Sequence, residues 1–248
     1  MKEVAQAADM HQRYPDHFHR QSLQAGLTAA WPICLGYFPI GLSLGVLAQK
    51  GGLVPWQMAA MSLLVFAGGS QFIAVAMLAA GASALAIIST VFMVNLRHLL
   101  MSSALAVHFP GVSRRFLALF AYGVTDESFA VNTARFNRGG WNRRRALVVN
   151  QATNAAWFFS TLVGAYAGQF IPAGSLGIDY ALTGMFICLL VFQLRGPVFV
   201  ATALIAALCS VLAYLWLPGN AYVIVASCLA ATAGFALKRT LRQRRARA

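Results

Sequence analysis

Negative charge is nearly absent from this chain. Only six of its 248 residues are Asp or Glu, against 19 Lys or Arg, and beyond Asp16 the acids reduce to Asp126, Glu127 and Asp179. Charged residues of both signs make up only 10% of the chain, where a soluble domain carries about 25%. Cysteine is scarce as well: Cys34, Cys188, Cys209 and Cys228 all fall in apolar stretches, with no CxxC pair and no Cys/His cluster. That pattern argues against a disulfide framework or a zinc site. The polar first twenty residues lack the apolar core of a secretory signal, and His11, His17 and His19 there have no fixed scaffold on which to hold a metal. There is no HExxH, no GxSxG, no P-loop and no GxGxxG in a suitable context, so enzyme signatures are missing. No metal and no cofactor are expected.

What is present is apolar sequence. Hydrophobic residues account for 59% of the chain, and the mean hydropathy is +0.67. Apolar blocks occur at about residues 23–47, 57–80, 83–109, 116–135, 146–169, 178–194, 197–217 and 220–237. Each is close to the roughly 20 residues that cross a hydrocarbon core as a helix, whereas the strands of a membrane barrel would be alternating segments of about ten. The expectation is an all-α polytopic membrane protein of about eight transmembrane helices, some of them broken. Seven is the alternative if the block at 116–135 dips in and returns, which would bring Arg114 and Arg115 to the other side. The domain plan is a polar cytoplasmic tail at 1–21, a transmembrane domain at 22–238 and a basic tail at 239–248.

The net charge of +13 follows the same plan. Arg135, Arg138, Arg143, Arg144 and Arg145 share one loop, and Lys238, Arg239, Arg242, Arg244, Arg245 and Arg247 end the chain. With eight spans these clusters, the N-terminus and Arg195 fall on one side, which the positive-inside rule makes cytoplasmic. Nucleic acid is not an expected partner; the lipid bilayer is.

Several blocks carry residues that a passive anchor does not need. The first contains Trp31-Pro32 and Gly36-Tyr37-Phe38-Pro39, and the second contains Phe66-Ala67-Gly68-Gly69-Ser70-Gln71-Phe72. Proline removes a backbone donor and adjacent glycines weaken a helix, so both blocks are expected to break. Backbone groups freed within a membrane are used by many transporters for substrates and ions. Gly41-x-x-x-Gly45 and Gly164-x-x-x-Gly168 fit close helix packing instead. In the third block, Asn95, Arg97 and His98 interrupt MVNLRHLL. An arginine near the centre of a span costs roughly 2.5–3.5 kcal/mol on insertion scales. Asp126 and Glu127 lie mid-block in the fourth, and a pair with Arg97 offsets both penalties. Which acid pairs is open. Adjacent helical residues point about 100° apart, which leaves the second carboxylate for proton binding. Asn95, His98 and Ser102 share a face away from Arg97 and suit an interior path. Asn150, Gln151 and Asn154 fall near a cytoplasmic end, where solvation is a sufficient explanation.

The runs FAGGSQFIAVAMLAAG (66–81), VNLRHLLMSSAL (94–105) and YGVTDESFA (122–130), in that order and spacing, resemble the AzlC family, the large subunit of AzlC/AzlD-type branched-chain amino acid exporters. The resemblance covers essentially the whole chain after about residue 20. It implies a secondary active exporter of hydrophobic amino acids in the bacterial inner membrane, not an enzyme, that works with a small AzlD-type membrane subunit and draws on the proton gradient. On that expectation Gly68, Gly69, Ser70, Gln71, Asn95 and His98 bind the amino acid substrate, with Phe66 and Phe72 near its aliphatic side chain. Asp126 and Glu127 couple protons, and Arg97 is a structural ion-pair partner. A non-transporting membrane scaffold and an intramembrane enzyme are the competing classes.

Overall fold

The computed structural model describes residues 20–171, 196–216 and 221–247 and, between 172 and 195, only residues 180, 183, 184, 187, 190, 191 and 194. The expectations placed on residues 1–19, Asp179, Cys188, Arg195 and most of the block at 178–194 lie outside the described residues. The described residues contain α-helices and no strand. In chain order these are α1 (Arg20–Lys50), α2 (Pro55–Leu64), α3 (Gly68–Ala79), α4 (Ala84–Ala106), α5 (Arg114–Tyr122), α6 (Asp126–Arg138), α7 (Arg143–Ala167), α8 (Pro197–Trp216) and α9 (Ala221–Arg247), with a short 3-10 turn at Gly168–Phe170. Three described helices, α1, α4 and α8, are long and apolar enough to cross a membrane.

The chain divides into two compact units. One comprises residues 1–83 and 94–181, the other residues 84–93 and 182–248. In the second, α8 packs against α9, and the methyl and hydroxyl of Thr202 would lie 2.7 Å from a Cβ added at Gly234. The α9 helix runs without interruption through the basic residues from Lys238 to Arg247.

The first unit is organised on α1 and α7. On α1 the buried residues Gly26, Ile33, Tyr37, Gly41, Gly45 and Ala48 recur at spacings of three, four and seven, one continuous stripe. On α7 the matching stripe is Asn150, Thr153, Asn154, Trp157, Ser160, Thr161 and Gly164. The helices approach backbone to backbone. A Cβ on Gly45 would sit 2.1 Å from the Thr161 carbonyl oxygen, and one on Gly164 would sit 2.1 Å from that of Leu42. This is small-residue packing of the kind used where apolar surface alone cannot drive association. The polar side chains that lower the hydropathy of α7, among them Asn150, Thr153, Asn154, Ser160 and Thr161, are buried against protein.

The first block departs from expectation: α1 is not broken. Pro32 and Pro39 both lie within one 31-residue helix. Both occupy its exposed side, while the buried stripe passes them without a change of register and is held along its length by α7. Packing thus outweighs a proline penalty of about 3 kcal/mol. The second and fourth blocks do break. The second stops at Leu64 and restarts at Gly68; the fourth stops at Tyr122 and restarts at Asp126. The four pieces have 10, 12, 9 and 13 residues, or about 14–20 Å each, less than a hydrocarbon core of about 30 Å.

The close α1–α7 contact has a measurable consequence. Gly164→Ala forces the two backbones apart and lowers stability by about 1–3 kcal/mol or more. At Gly36 nothing lies within 4 Å of an added Cβ, so Gly36→Ala instead gains roughly 0.5–1 kcal/mol from helix propensity. Thermal unfolding of the purified variants in one detergent compares the two directly.

Candidate functional site

The second break falls at Gly123-Val124-Thr125. A Cβ on Gly123 would meet the Asn150 side chain at 2.7 Å, so the chain turns where only glycine fits against α7. Thr125 then caps α6: its hydroxyl accepts from the Ser128 amide while the Ser128 hydroxyl receives the Thr125 amide at 2.9 Å. Asp126 and Glu127 are the first two residues of the new helix. They are therefore not mid-helix, as the block pattern suggests, but at a helix N-terminus whose dipole favours negative charge.

The two acids have different partners. Arg97 Nη1 on α4 lies 2.7 Å from Asp126 Oδ2, with both side chains about 30% exposed. Arg97 Nε is buried with no hydrogen-bond partner among the described residues. Glu127 turns instead to α1, where Tyr37 donates its hydroxyl to Glu127 Oε2 at 2.6 Å. The same hydroxyl lies 2.8 Å from Thr125 Oγ1. Among the described residues no cation pairs with Glu127. His98 is half-buried and near enough to Arg97 and Glu127 to feel both charges.

From Tyr37 the contacts continue around the unit. Its ring meets Trp157 edge-on, with centroids 5.1 Å apart. The Trp157 indole N–H donates to Gln71 Oε1 at 2.6 Å, and Gln71 Nε2 donates to the Ser62 hydroxyl at 3.2 Å. Ser70, one residue before Gln71, donates its hydroxyl to Asn95 Oδ1, and Asn95 lies two residues before Arg97 on α4. The ring thus closes through α6, α4, α3, α7 and α1. It includes Ser70, Gln71, Asn95, Arg97, Asp126 and Glu127. Ser70 and Gln71 are fully buried with their side chains engaged by protein groups. Phe66 and Phe72 are buried as well. Gly68 touches the ring through Trp157, whose Cη2 would lie 2.8 Å from an added Cβ.

The first break, Val65 to Ala67, precedes the glycine pair instead of falling on it. Gly68 and Gly69 open α3, whose N-cap residue Ala67 supplies no side-chain cap. Its leading N–H groups therefore lack the side-chain acceptor that Thr125 gives α6. Three carbonyls beside the breaks are covered by side-chain donors. Tyr122 donates to the Leu63 oxygen at 2.6 Å, Asn150 to that of Phe120 at 2.9 Å and Gln151 to that of Leu119 at 3.4 Å. Asn154 reaches the Tyr122 hydroxyl, and Asn132 bridges Asn150 and the Trp141 indole. Asn150 and Asn154 are buried, so solvation does not account for them.

Tyr37 and Trp157 were not singled out from the sequence. A signal existed: Tyr37 lies four residues before Gly41 on the same helix face, and a buried tyrosine hydroxyl requires a partner.

The AzlC family model, described as AzlC protein, matches residues 32–171. The chain belongs to the AzlC family. The match takes in every member of the ring and both breaks. Among relatives, the inner membrane protein YgaZ of Escherichia coli is 31% identical over 195 residues, covering 75% of this chain and 80% of that protein. An uncharacterized membrane protein of Archaeoglobus fulgidus is 31% identical over 174 residues, covering 69% and 75%. The branched-chain amino acid transport protein AzlC of Bacillus subtilis is 26% identical over 199 residues, covering 79% and 77%. No solved structure matches the chain. With its long apolar helices and these relatives, this AzlC-family chain is a membrane protein.

The separate partners of the acids predict a specific coupling. Arg97→Ala leaves Asp126 without its counter-ion, so stability falls, and adding Asp126→Asn restores part of it. A double-mutant cycle in thermal or denaturant unfolding is expected to give about 0.5–3 kcal/mol for the 97/126 pair and a much smaller value for 97/127.

Proposed function

We propose that this chain is the large subunit of a secondary active exporter of branched-chain and other hydrophobic amino acids. It works in the bacterial inner membrane with a cytoplasmic N-terminus, is coupled to protons and is completed by a small AzlD-type membrane subunit. About eight spans, or seven, remain part of this proposal. The observation that carries it is the placement of Arg97, Asp126 and Glu127 at an interrupted helix, in a family that includes a protein named for branched-chain amino acid transport. Ionisable groups within membrane segments mark ion and substrate paths, and helix ends at interruptions receive charged substrate groups.

In this mechanism the uncapped first turn of α3, at Gly68, Gly69 and Ser70, offers backbone N–H groups to the substrate's carboxylate. Gln71 and the Ser70 hydroxyl hold that turn through Trp157, Ser62 and Asn95. Asn95 and His98 line the approach on α4. The acids receive the substrate's ammonium and exchange a proton, while Arg97 fixes the local charge. No step makes or breaks a covalent bond in the substrate, so the chain does not act as an enzyme.

Proteoliposomes containing the chain and its small subunit provide the test. Loaded with labelled leucine, they are expected to release it faster when the opposite side is acidified, and Asp126→Asn with Glu127→Gln abolishes that acceleration. A scaffold would give no release beyond empty liposomes, and an intramembrane enzyme would return chemically altered leucine. Unchanged acceleration in the double variant rules out these acids as the coupling site.

A further inference from the structure

The two adjacent acids are not equivalent, and the difference lies in what faces them. Asp126 meets the guanidinium of Arg97 at 2.7 Å. Neutralising that carboxylate would strand Arg97, whose Nε is already buried with no hydrogen-bond partner among the described residues. Glu127 meets a neutral hydroxyl, Tyr37, at 2.6 Å. The other titratable groups near Glu127 are Asp126 on its own helix and Arg97 and His98 on α4; Arg97 is committed to Asp126. Tyr37 comes from α1 and is itself buried.

We propose that Asp126 is the fixed counter-ion of Arg97, whereas Glu127, gripped by Tyr37, is the one carboxylate that exchanges a proton and alternates it with the ammonium group of the bound amino acid. This rests on the transport reading above and assigns its coupling step to a single residue. Tyr37 is a positioning residue in that step.

The hydroxyl chain suits both charge states without moving a heavy atom. When Glu127 is ionised, the Tyr37 O–H donates to Oε2 and the Thr125 O–H donates to Tyr37 Oη. When a proton is added to Glu127 Oε2, the new O–H donates to Tyr37 Oη and the Tyr37 O–H rotates toward Thr125 Oγ1, 2.8 Å away. Thr125 Oγ1 accepts from the Ser128 amide in either state. Tyr37 and Thr125 each keep one proton throughout, so the only net change is one proton on Glu127. The charge of the Arg97, Asp126 and Glu127 group changes by one. Ionised, it carries a spare negative charge that an ammonium group can neutralise; protonated, it does not. An amino acid bound from the less acidic side is thereby released on the more acidic side, which is the direction of export.

Two measurements on the full chain with its small subunit test this. The first needs no amino acid: infrared difference spectra on acidification follow the protonated carboxyl band. The other acids of the chain contribute to this band in every variant; the component expected from Glu127 is the one present in the wild type and in Arg97→Gln combined with Asp126→Asn, and missing from the Glu127→Gln spectrum. Glu127→Asp keeps a titrating carboxyl but loses the reach to Tyr37, so its band appears at a different pH; Tyr37→Phe moves the midpoint likewise. The second follows L-leucine binding against pH. In the wild type the dissociation constant rises about tenfold per pH unit on the acid side, as one-proton competition requires, and in Glu127→Gln it is weak and flat. Binding of 4-methylpentanoate, which has the aliphatic chain and carboxylate but no ammonium, gains nothing from ionisation of Glu127. A Glu127→Gln spectrum with the same carboxyl components as the wild type, or loss of the Glu127 component with the Arg97/Asp126 double change, overturns the assignment. A titrating Glu127 with no leucine bound at any pH overturns the ammonium competition and the proposed substrate, and leaves the division between the acids standing.

Discussion

A helix that stops inside apolar surroundings leaves carbonyls and amides that only protein can satisfy, and the first unit of this chain is arranged around that constraint. The breaks at 65–67 and 123–125 release backbone groups, and α7 lies beside them with amide side chains. Asn150 and Gln151 cover the carbonyls of Phe120 and Leu119, and Asn154 holds the Tyr122 hydroxyl that covers Leu63. These side chains in turn fix where α7 must run, and its close contact with α1 follows from the glycines on both helices. An unsatisfied buried donor or acceptor costs about 1–3 kcal/mol, so no member of this set is easily exchanged for an apolar residue.

The charges obey the same constraint. Arg97 could not remain in α4 without a carboxylate, and the carboxylates could not remain in the unit without the break that turns them into the first residues of a helix. At that position the N-terminal dipole of α6 contributes the equivalent of roughly half a positive charge, and Thr125 and Ser128 satisfy each other's amides. The break is thus the means by which two adjacent acids are accommodated.

Much of this was legible in the sequence, and the remainder was hidden for identifiable reasons. The apolar blocks gave an all-helical membrane chain because length and composition suffice for that inference. That Arg97 needs a carboxylate was also legible, since a deep charge in apolar sequence has few alternatives. Which acid it meets was not, because adjacent residues differ only in direction. The prolines of α1 misled because propensity is local, whereas the helix is kept whole by contacts with residues more than a hundred positions away. Asn150 and Asn154 were passed over since they lie near the end of a block, and position along the chain does not reveal which face a neighbouring break occupies. Tyr37 was hidden among aromatic residues; its register with Gly41 was the available clue. Ser70 and Gln71 were prominent as polar residues beside glycines, and their side chains belong to the hydrogen-bonded ring.

The two breaks also depend on each other. Phe66 and Tyr122 lie with ring centroids 6.3 Å apart, and the Tyr122 hydroxyl satisfies a carbonyl of the other interrupted helix. One break therefore cannot change shape without releasing a group that the other holds. The ends they create are nevertheless unlike. The start of α6 has a capping box and two carboxylates; the start of α3 has a glycine pair and no side-chain cap. Helix dipoles give both ends a positive partial charge, and only α6 answers it from its own sequence. The path through Ser70, Asn95, Arg97 and Asp126, a hydrogen bond, a stretch of α4 and an ion pair, ties the end without a side-chain cap to the capped one, so the uncapped turn and the carboxylate that has no cation partner among the described residues are held by the same set of side chains.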